Sequence, residues 1–304
     1  MKRLFDAYII VDWSAAAKPV SGANSIWIGW VTRDASGRAR FSCENPKTRL
    51  QARVQIHELA GDFIARGSRV LIGFDFAFGY PTGTAKAIGL KMDMCPPWKA
   101  MHDFLSLSFK EQTDNSNTRF DLASILNAKM TSGPHPFWGV PTSQVRSTLK
   151  TTKGDFKQPG TLAEHRIAEH WIRSQFMAHP KSVWQLLGAG AVGSQSLLGI
   201  PTVAFLRSHL SDAQIWPFET GLEDLNAKRL ENTSCVLAEV YPSTLSITPK
   251  AGEILDQIQV ETLSKRLESL DSAGFLGSAF AAPNTISSRE ITEIVGEEGW
   301  ILAK

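Results

Sequence analysis

Two short apolar segments, each followed directly by an aspartate, constrain the fold of this chain more than any other feature. Residues 7–11 lead into Asp12, and residues 70–74 lead into Asp75. Short apolar runs of this kind, bounded by turn residues, are typical of buried strands. The sequence therefore predicts an α/β protein whose sheet carries carboxylates at one edge.

The rest of the chain extends this pattern. Residues 49–66 have helical spacing of apolar residues and are followed by Gly67, a common helix terminator. Residues 82–180 combine prolines, polar runs and helical segments, which predicts a helical and loop insertion in a single domain spanning 1–304. Further strands are predicted at 7–13, 25–32, 39–43, 182–187, 214–218 and 234–241, and further helices at 162–177, 252–270 and 271–281.

Composition excludes several classes of protein. The 43% hydrophobic and 20% charged residues suit a globular core, and a net charge of +2 gives no overall electrostatic footprint for nucleic acid. Three widely spaced cysteines suggest neither a disulfide framework nor a zinc site. Because no signal peptide or membrane span fits the sequence, we expect a cytoplasmic protein without a membrane partner.

Four acidic residues are candidates for one catalytic and metal-binding site. Asp12 and Asp75 follow strands, Glu239 lies within a predicted strand, and Asp271 opens a predicted helix. Oxygen ligands without histidine or cysteine favour Mg²⁺ or Mn²⁺. Each aspartate also has a structural interpretation, as a turn residue or helix cap. Glu239 is harder to explain structurally, since a charge inside an apolar strand needs a partner.

Several short blocks are spread along almost the whole chain, at 11–14, 73–77 with 79–81, 165–169, 182–193, 239–242 and 271–274. Together they resemble the predicted RNase-H-like nuclease family. The resemblance implies a ribonuclease-H-like mixed sheet flanked by helices, with Asp12, Asp75, Glu239 and Asp271 as metal ligands. Arg166 and Glu169 match a mid-chain pair of that family, and Trp13 departs from the glycine found after the first aspartate in many ribonuclease-H-like sites.

The leading hypothesis is a metal-dependent nuclease or phosphodiesterase acting on nucleic acid or a nucleotide. Arg146, Arg166, Glu169 and Trp138, with the neighbouring Phe137, are candidate substrate contacts. One alternative is a binding or accessory protein that keeps the fold without hydrolysis.

A third hypothesis is a nucleotide-binding enzyme that uses NAD or ATP. Residues 188–193 fit the pattern G-x-G-x-x-G, but we expect Gly199 and Pro201 to interrupt the helix that a dinucleotide site needs. ATP binding ranks low, because no glycine lies close after Asp12.

Overall fold

A computed structural model describes residues 3–131, 133–156, 162–245 and 247–302. A seven-stranded mixed sheet forms its centre, in the order β3-β2-β1-β4-β6-β5, with β7 also pairing with β6. The α/β class predicted from the sequence is therefore confirmed. The strands are β1 (Ala7–Asp12), β2 (Trp27–Arg33), β3 (Ala39–Glu44), β4 (Val70–Phe74), β5 (Ala213–Ile215), β6 (Cys235–Val240) and β7 (Ile301–Leu302).

The register of the central strands determines which side chains meet. β1 to β3 form an antiparallel meander, whereas β1, β4, β6 and β5 are parallel. Val11 pairs with Phe74, and Phe74 pairs with Glu239. Because parallel strands end at the same edge, the residues at the ends of β1, β4 and β6 are neighbours there.

Helices cover both faces of the sheet. Alternation along the parallel strands sends Ile9, Ile72 and Leu237 into one apolar layer, with α1, α3 and α6. Ile10 and Val236 enter the other layer, with α5 and α7. The helices are α1 (Arg49–Ala65), α2 (Thr84–Ile88), α3 (Pro97–Ser108), α4 (Arg119–Thr131), α5 (Ile167–Gln175), α6 (Gly193–His209), α7 (Leu255–Ser272) and α8 (Ser288–Glu293), followed by a π-helical turn, Ile294–Glu298.

Two predicted elements are wrong, and a third is shorter than predicted. Residues 182–187 form a turn with a single bridge from Gln185 to Trp138 rather than a strand, so the sheet resumes only at β5. Residues 271–281 do not form a helix: α7 ends at Ser272, and a short 3₁₀ turn follows at Gly277–Phe280. The helix predicted over 162–177 is shorter, since α5 begins after Arg166.

α6 overturns another expectation. Pro201 lies within this 17-residue helix, which continues past it to His209. Gly199 is required there because a Cβ at that position would collide with the Phe76 ring. In the part of the chain that the structure describes, none of the helices has the length and apolar character needed to span a membrane.

Candidate functional site

Asp12 and Asp75 lie side by side at the edge where the parallel strands end. Asp12 is the last residue of β1, and Asp75 directly follows β4, its parallel neighbour. Both side chains are half-buried and line a groove of about 490 Å³. Neither carboxylate forms an ion pair with a cationic side chain in the described ranges. The two strands therefore present a pair of unneutralised carboxylates to the groove.

Burial and mutual repulsion change the acidity of this pair. Burial raises the pKa of Asp75 from 3.8 to about 7, although the Trp13 N–H donates a 2.7 Å hydrogen bond to its Oδ1 and opposes the rise. Burial also raises the pKa of Asp12 well above its ordinary value, with repulsion from Asp75 and then Asp256 adding to the effect. The energetic cost of ionising both groups falls when a cation lies between them.

Glu239 reaches the same groove from β6 but is held by an arginine. Arg166 donates from Nη1 to Glu239 Oε2 at 2.8 Å and from Nη2 to Oε1 at 2.6 Å. Its Nε donates to Glu169 Oε1 at 2.8 Å, and Nη1 donates to the Glu298 carbonyl at 2.9 Å. All three charged side chains of this triad are at least 95% buried.

The triad explains why the sequence places these charges together. Burial lowers the pKa of the Arg166 guanidinium, but the two glutamates outweigh this effect and raise it. Burial raises the pKa of Glu239, and Arg166 opposes that rise. Glu239 also accepts from the Phe78 N–H, at 3.1 Å. Arg166 and Glu169, predicted as substrate contacts, therefore line the groove mainly as the support that orients Glu239.

Asp271 does not join the other carboxylates, contrary to the sequence prediction. It lies in the last turn of α7 and accepts hydrogen bonds from the N–H of Leu4 and Phe5 and from the hydroxyl of Tyr8. These groups are at the start of β1, whereas Asp12 is at its end. At about 3.3 Å per residue, Tyr8 and Asp12 are about 13 Å apart along the strand. Asp271 therefore anchors the N-terminal segment.

Two predicted substrate contacts lie outside the groove. Arg146 is paired with Asp121 at 2.7 Å on the surface, and Trp138 is half-buried beside Gln185. Neither residue lines the groove. Phe137 is fully buried between Tyr80 and Trp184. The aromatic residues of this loop therefore serve as packing, because their apolar surface is covered by the chain itself.

Two groove residues were missed by the sequence analysis. Asp256 lies in the first turn of α7, accepts a 2.6 Å hydrogen bond from the Asn24 N–H, and lines the groove beside Asp12. Arg119 is the first residue of α4 and also lines the groove. An acid in a first helical turn is ordinary at a helix N-terminus. Neither residue therefore had a distinguishing sequence signal.

The glycine-rich turn 188–193 faces the groove at the beginning of α6. Gly188 and Gly190 have φ of +117° and +70°, and both line the groove. Gly193 is packed against the Gln185 carbonyl, where a Cβ would lie 2.6 Å from the oxygen. The turn therefore lines the groove at the N-terminus of a helix, which is where a nucleotide phosphate would bind. However, it follows a turn and not a strand, so the strand–turn–helix unit of a dinucleotide fold is incomplete.

The donor set suits one kind of cation. Within the described ranges, no three or more His, Cys, Asp or Glu side chains are grouped so that they could hold a metal ion. Mg²⁺ in proteins commonly binds through one or two carboxylates and keeps several waters. Asp12 and Asp75, which are acidic, adjacent and unpaired, fit that requirement, and Glu239 and Asp256 stand near them. Comparisons with family models, curated proteins and solved structures gave no match.

Proposed function

We propose that this protein is a metal-dependent phosphodiesterase or nuclease that binds Mg²⁺ or Mn²⁺ at Asp12 and Asp75. The main support for this proposal is the pair of half-buried carboxylates on adjacent parallel strands, neither of which forms an ion pair with a described side chain. Two such charges without cationic partners are costly to keep ionised, and a divalent cation removes that cost. A bound divalent cation would lower the pKa of a coordinated water and polarise a phosphoryl oxygen.

The arrangement of the strands supports a ribonuclease-H-like core for this activity. An antiparallel meander, β1 to β3, is followed by parallel strands β4 and β6 on the opposite side of β1. Ligands of open α/β sheets bind beyond the carboxyl ends of the strands, which is the edge that carries Asp12, Asp75 and Glu239. The strand order and the location of the acids agree with the resemblance drawn from the sequence.

The residues of the chain have distinct roles in this proposal. In the hydrolysis, a water oxygen bonds to phosphorus and loses a proton, one ester P–O bond breaks, and the leaving oxygen takes up a proton. Asp12 and Asp75 would hold the cation as ionised carboxylates, since metal ligands must be deprotonated. Arg166 opposes the effect of burial on the pKa of Glu239 and orients this side chain beside the pair.

The proposal is tested by titrating Mn²⁺ into the wild-type protein and into Asp12→Asn, Asp75→Asn at about pH 8, where carboxylate ligands are deprotonated. We expect the double substitution to weaken Mn²⁺ binding by about 100-fold or more, because both ligands are lost. Asp103→Asn is the matched control, since Asp103 is exposed and paired with Lys99. Undetectable Mn²⁺ binding by the wild-type protein, or unchanged binding by the double variant, would refute the metal site.

Hydrolysis is tested with bis(p-nitrophenyl) phosphate and with single-stranded DNA and RNA. We expect Mn²⁺-dependent turnover that the double variant lacks. One observation favours the alternative of a non-catalytic binding protein: Arg166 already engages both oxygens of Glu239, which leaves two free acids on the strand ends. Tight Mn²⁺ binding without hydrolysis of any of these substrates would favour that alternative.

A further inference from the structure

Arg119 is a buried cation without an acidic partner. Its residue is only 9% exposed, it lines the groove, and its Nε is buried without a hydrogen-bond acceptor. Its one side-chain hydrogen bond to a described residue runs from Nη1 to Asn117 Oδ1, at 3.2 Å, and its guanidinium lies 4.4 Å from the centre of the Phe120 ring. Burial and then Arg49 lower the pKa of Arg119 to about 10, against an opposing effect of Glu111, so Arg119 remains charged at neutral pH.

Other buried arginines of the protein are neutralised, which makes Arg119 exceptional. Arg49 forms an ion pair with Glu111, and Arg166 forms ion pairs with Glu169 and Glu239. Arg119 has no ion pair with any acidic side chain in the described ranges. Removing an arginine from water without an anionic partner is costly, and a planar guanidinium is well suited to a phosphate group. The groove therefore holds a cation without an ion-paired acid among the described residues, since its neighbour Glu111 is paired with Arg49.

The beginning of α6 adds a second group of donors on the wall of the same groove. No side chain caps this helix, and the N–H groups of Ser194 and Gln195 donate to no other residue that the structure describes. The glycine turn that precedes them also lines the groove. Free N–H groups at the start of a long helix attract phosphate through hydrogen bonds and the helix dipole.

The charge of the groove restricts the size of the ligand. Its described lining contains five acidic and three basic side chains, and Arg166 is already neutralised. A polynucleotide needs several basic contacts along its backbone, and this groove supplies only Arg119 and Lys181. Its volume of about 490 Å³ is in the range of pockets that take small molecules.

We infer that the groove takes a small phosphorylated molecule of about nucleotide size, whose phosphate is bound by Arg119 and the N-terminal end of α6. This inference rests on the proposed function for its reaction, since the same groove carries Asp12 and Asp75. It narrows the substrate class to small phosphate esters and makes nucleic-acid polymers poor ligands.

The test uses a background in which metal binding is already removed. Asp12→Asn, Asp75→Asn eliminates two negative charges from the groove, so phosphate binding is measured without a divalent cation. We titrate thymidine 5′-monophosphate into this double variant in EDTA and then into the same protein carrying Arg119→Gln. We expect Arg119→Gln to weaken binding by about tenfold or more, as for loss of a charge-assisted hydrogen-bonding group.

Two further variants make the result interpretable. Arg119→Lys, in the same background, preserves the charge and is expected to bind more tightly than Arg119→Gln. Arg146→Gln is the matched control, because Arg146 is outside the groove, and we expect it to leave binding unchanged. Circular dichroism and a thermal melt establish that each variant is folded.

The opposing outcomes are distinct from those of the metal experiment. If the double variant binds no thymidine 5′-monophosphate, or if Arg119→Gln leaves its affinity unchanged, the phosphate site is wrong even where Mn²⁺ binding by the wild-type protein is intact. A single-stranded oligonucleotide that binds about tenfold or more tightly than the mononucleotide overturns the restriction to small molecules. Loss of Mn²⁺ binding alone refutes the metal site and leaves this result unaffected.

Discussion

Replacing Arg166 by methionine should leave two buried carboxylates without their cation. Arg166 is 1% exposed, and Glu169 and Glu239 are 2% and 4% exposed. Removing one partner of a buried ion pair costs about 3 to 5 kcal/mol, because the remaining charge stays buried. Since two acids lose their partner here, we expect the free energy of unfolding to fall by about 5 kcal/mol. For a protein of this size, that corresponds to a melting temperature lower by about 10 °C.

The assay is urea unfolding followed by circular dichroism, at about pH 5 and about pH 8. Burial raises the pKa of Glu239, and Arg166→Met removes the arginine that opposes this rise. The folded state then retains protons that the unfolded state releases, so stability falls as the pH rises. We therefore expect a smaller loss at pH 5 than at pH 8. Adding Glu169→Gln and Glu239→Gln should recover a large part of the loss by removing the two buried charges.

Arg146→Met is the matched control, because Arg146 forms a surface ion pair with Asp121. Such pairs contribute about 0 to 1 kcal/mol, so we expect little change. A loss in Arg166→Met that is the same at both pH values, and is not recovered by the two glutamine substitutions, would mean that packing alone accounts for the effect. The charges of Glu169 and Glu239 would then not be the cause of the lost stability.

Three further predictions concern other parts of the molecule. In metal-free protein, burial raises the pKa of Asp75 from 3.8 to about 7, so the bound proton stabilises the folded state at low pH. This stabilisation, about 4 kcal/mol at most, is lost as the pH rises from 3.8 to about 7. Asp75→Asn should therefore flatten the dependence of the unfolding free energy on pH, measured by urea unfolding. Gly199→Ala should destabilise the protein by about 1 to 3 kcal/mol, because the added Cβ would collide with the Phe76 ring. Gly61→Ala, in α1, has open space around it and should stabilise the protein slightly. Equal effects of the two substitutions in thermal melts would contradict this prediction. Asp271→Asn should lower stability by about 1 to 3 kcal/mol but leave Mn²⁺ affinity unchanged, and loss of Mn²⁺ binding in calorimetry would return Asp271 to the metal site.

The sequence predicted the elements of the sheet that carry strong local patterns. β1 and β4 were identified because continuous apolar runs are bounded by polar turns, and the proximity of Asp12 and Asp75 follows from parallel pairing. Residues 182–187 look like a strand because they are apolar, but their apolar side chains fill the core from a turn. Local composition does not distinguish these two uses of buried residues.

The remaining site depends on contacts between distant parts of the chain. The local sequence around Asp271 does not distinguish a metal ligand from a structural residue. Its role becomes clear only from the position of α7 beside the start of β1. Arg119 differs from the other buried arginines only in having no ion pair with a described residue, and this depends on which residues surround it in the folded protein. The link from Arg166 to Glu239 joins residues 73 positions apart, and neither segment indicates it alone.

The attachment of α7 to the start of β1 has a consequence for synthesis on the ribosome. β1 is made long before α7, but the hydrogen bonds from Leu4, Phe5 and Tyr8 reach Asp271 in α7. Asp256 enters the groove from the same late helix. A nascent chain therefore cannot complete the groove until α7 has been made, since domains generally fold as units. Prematurely terminated products lack this anchor and should be recognised by proteases as unfolded.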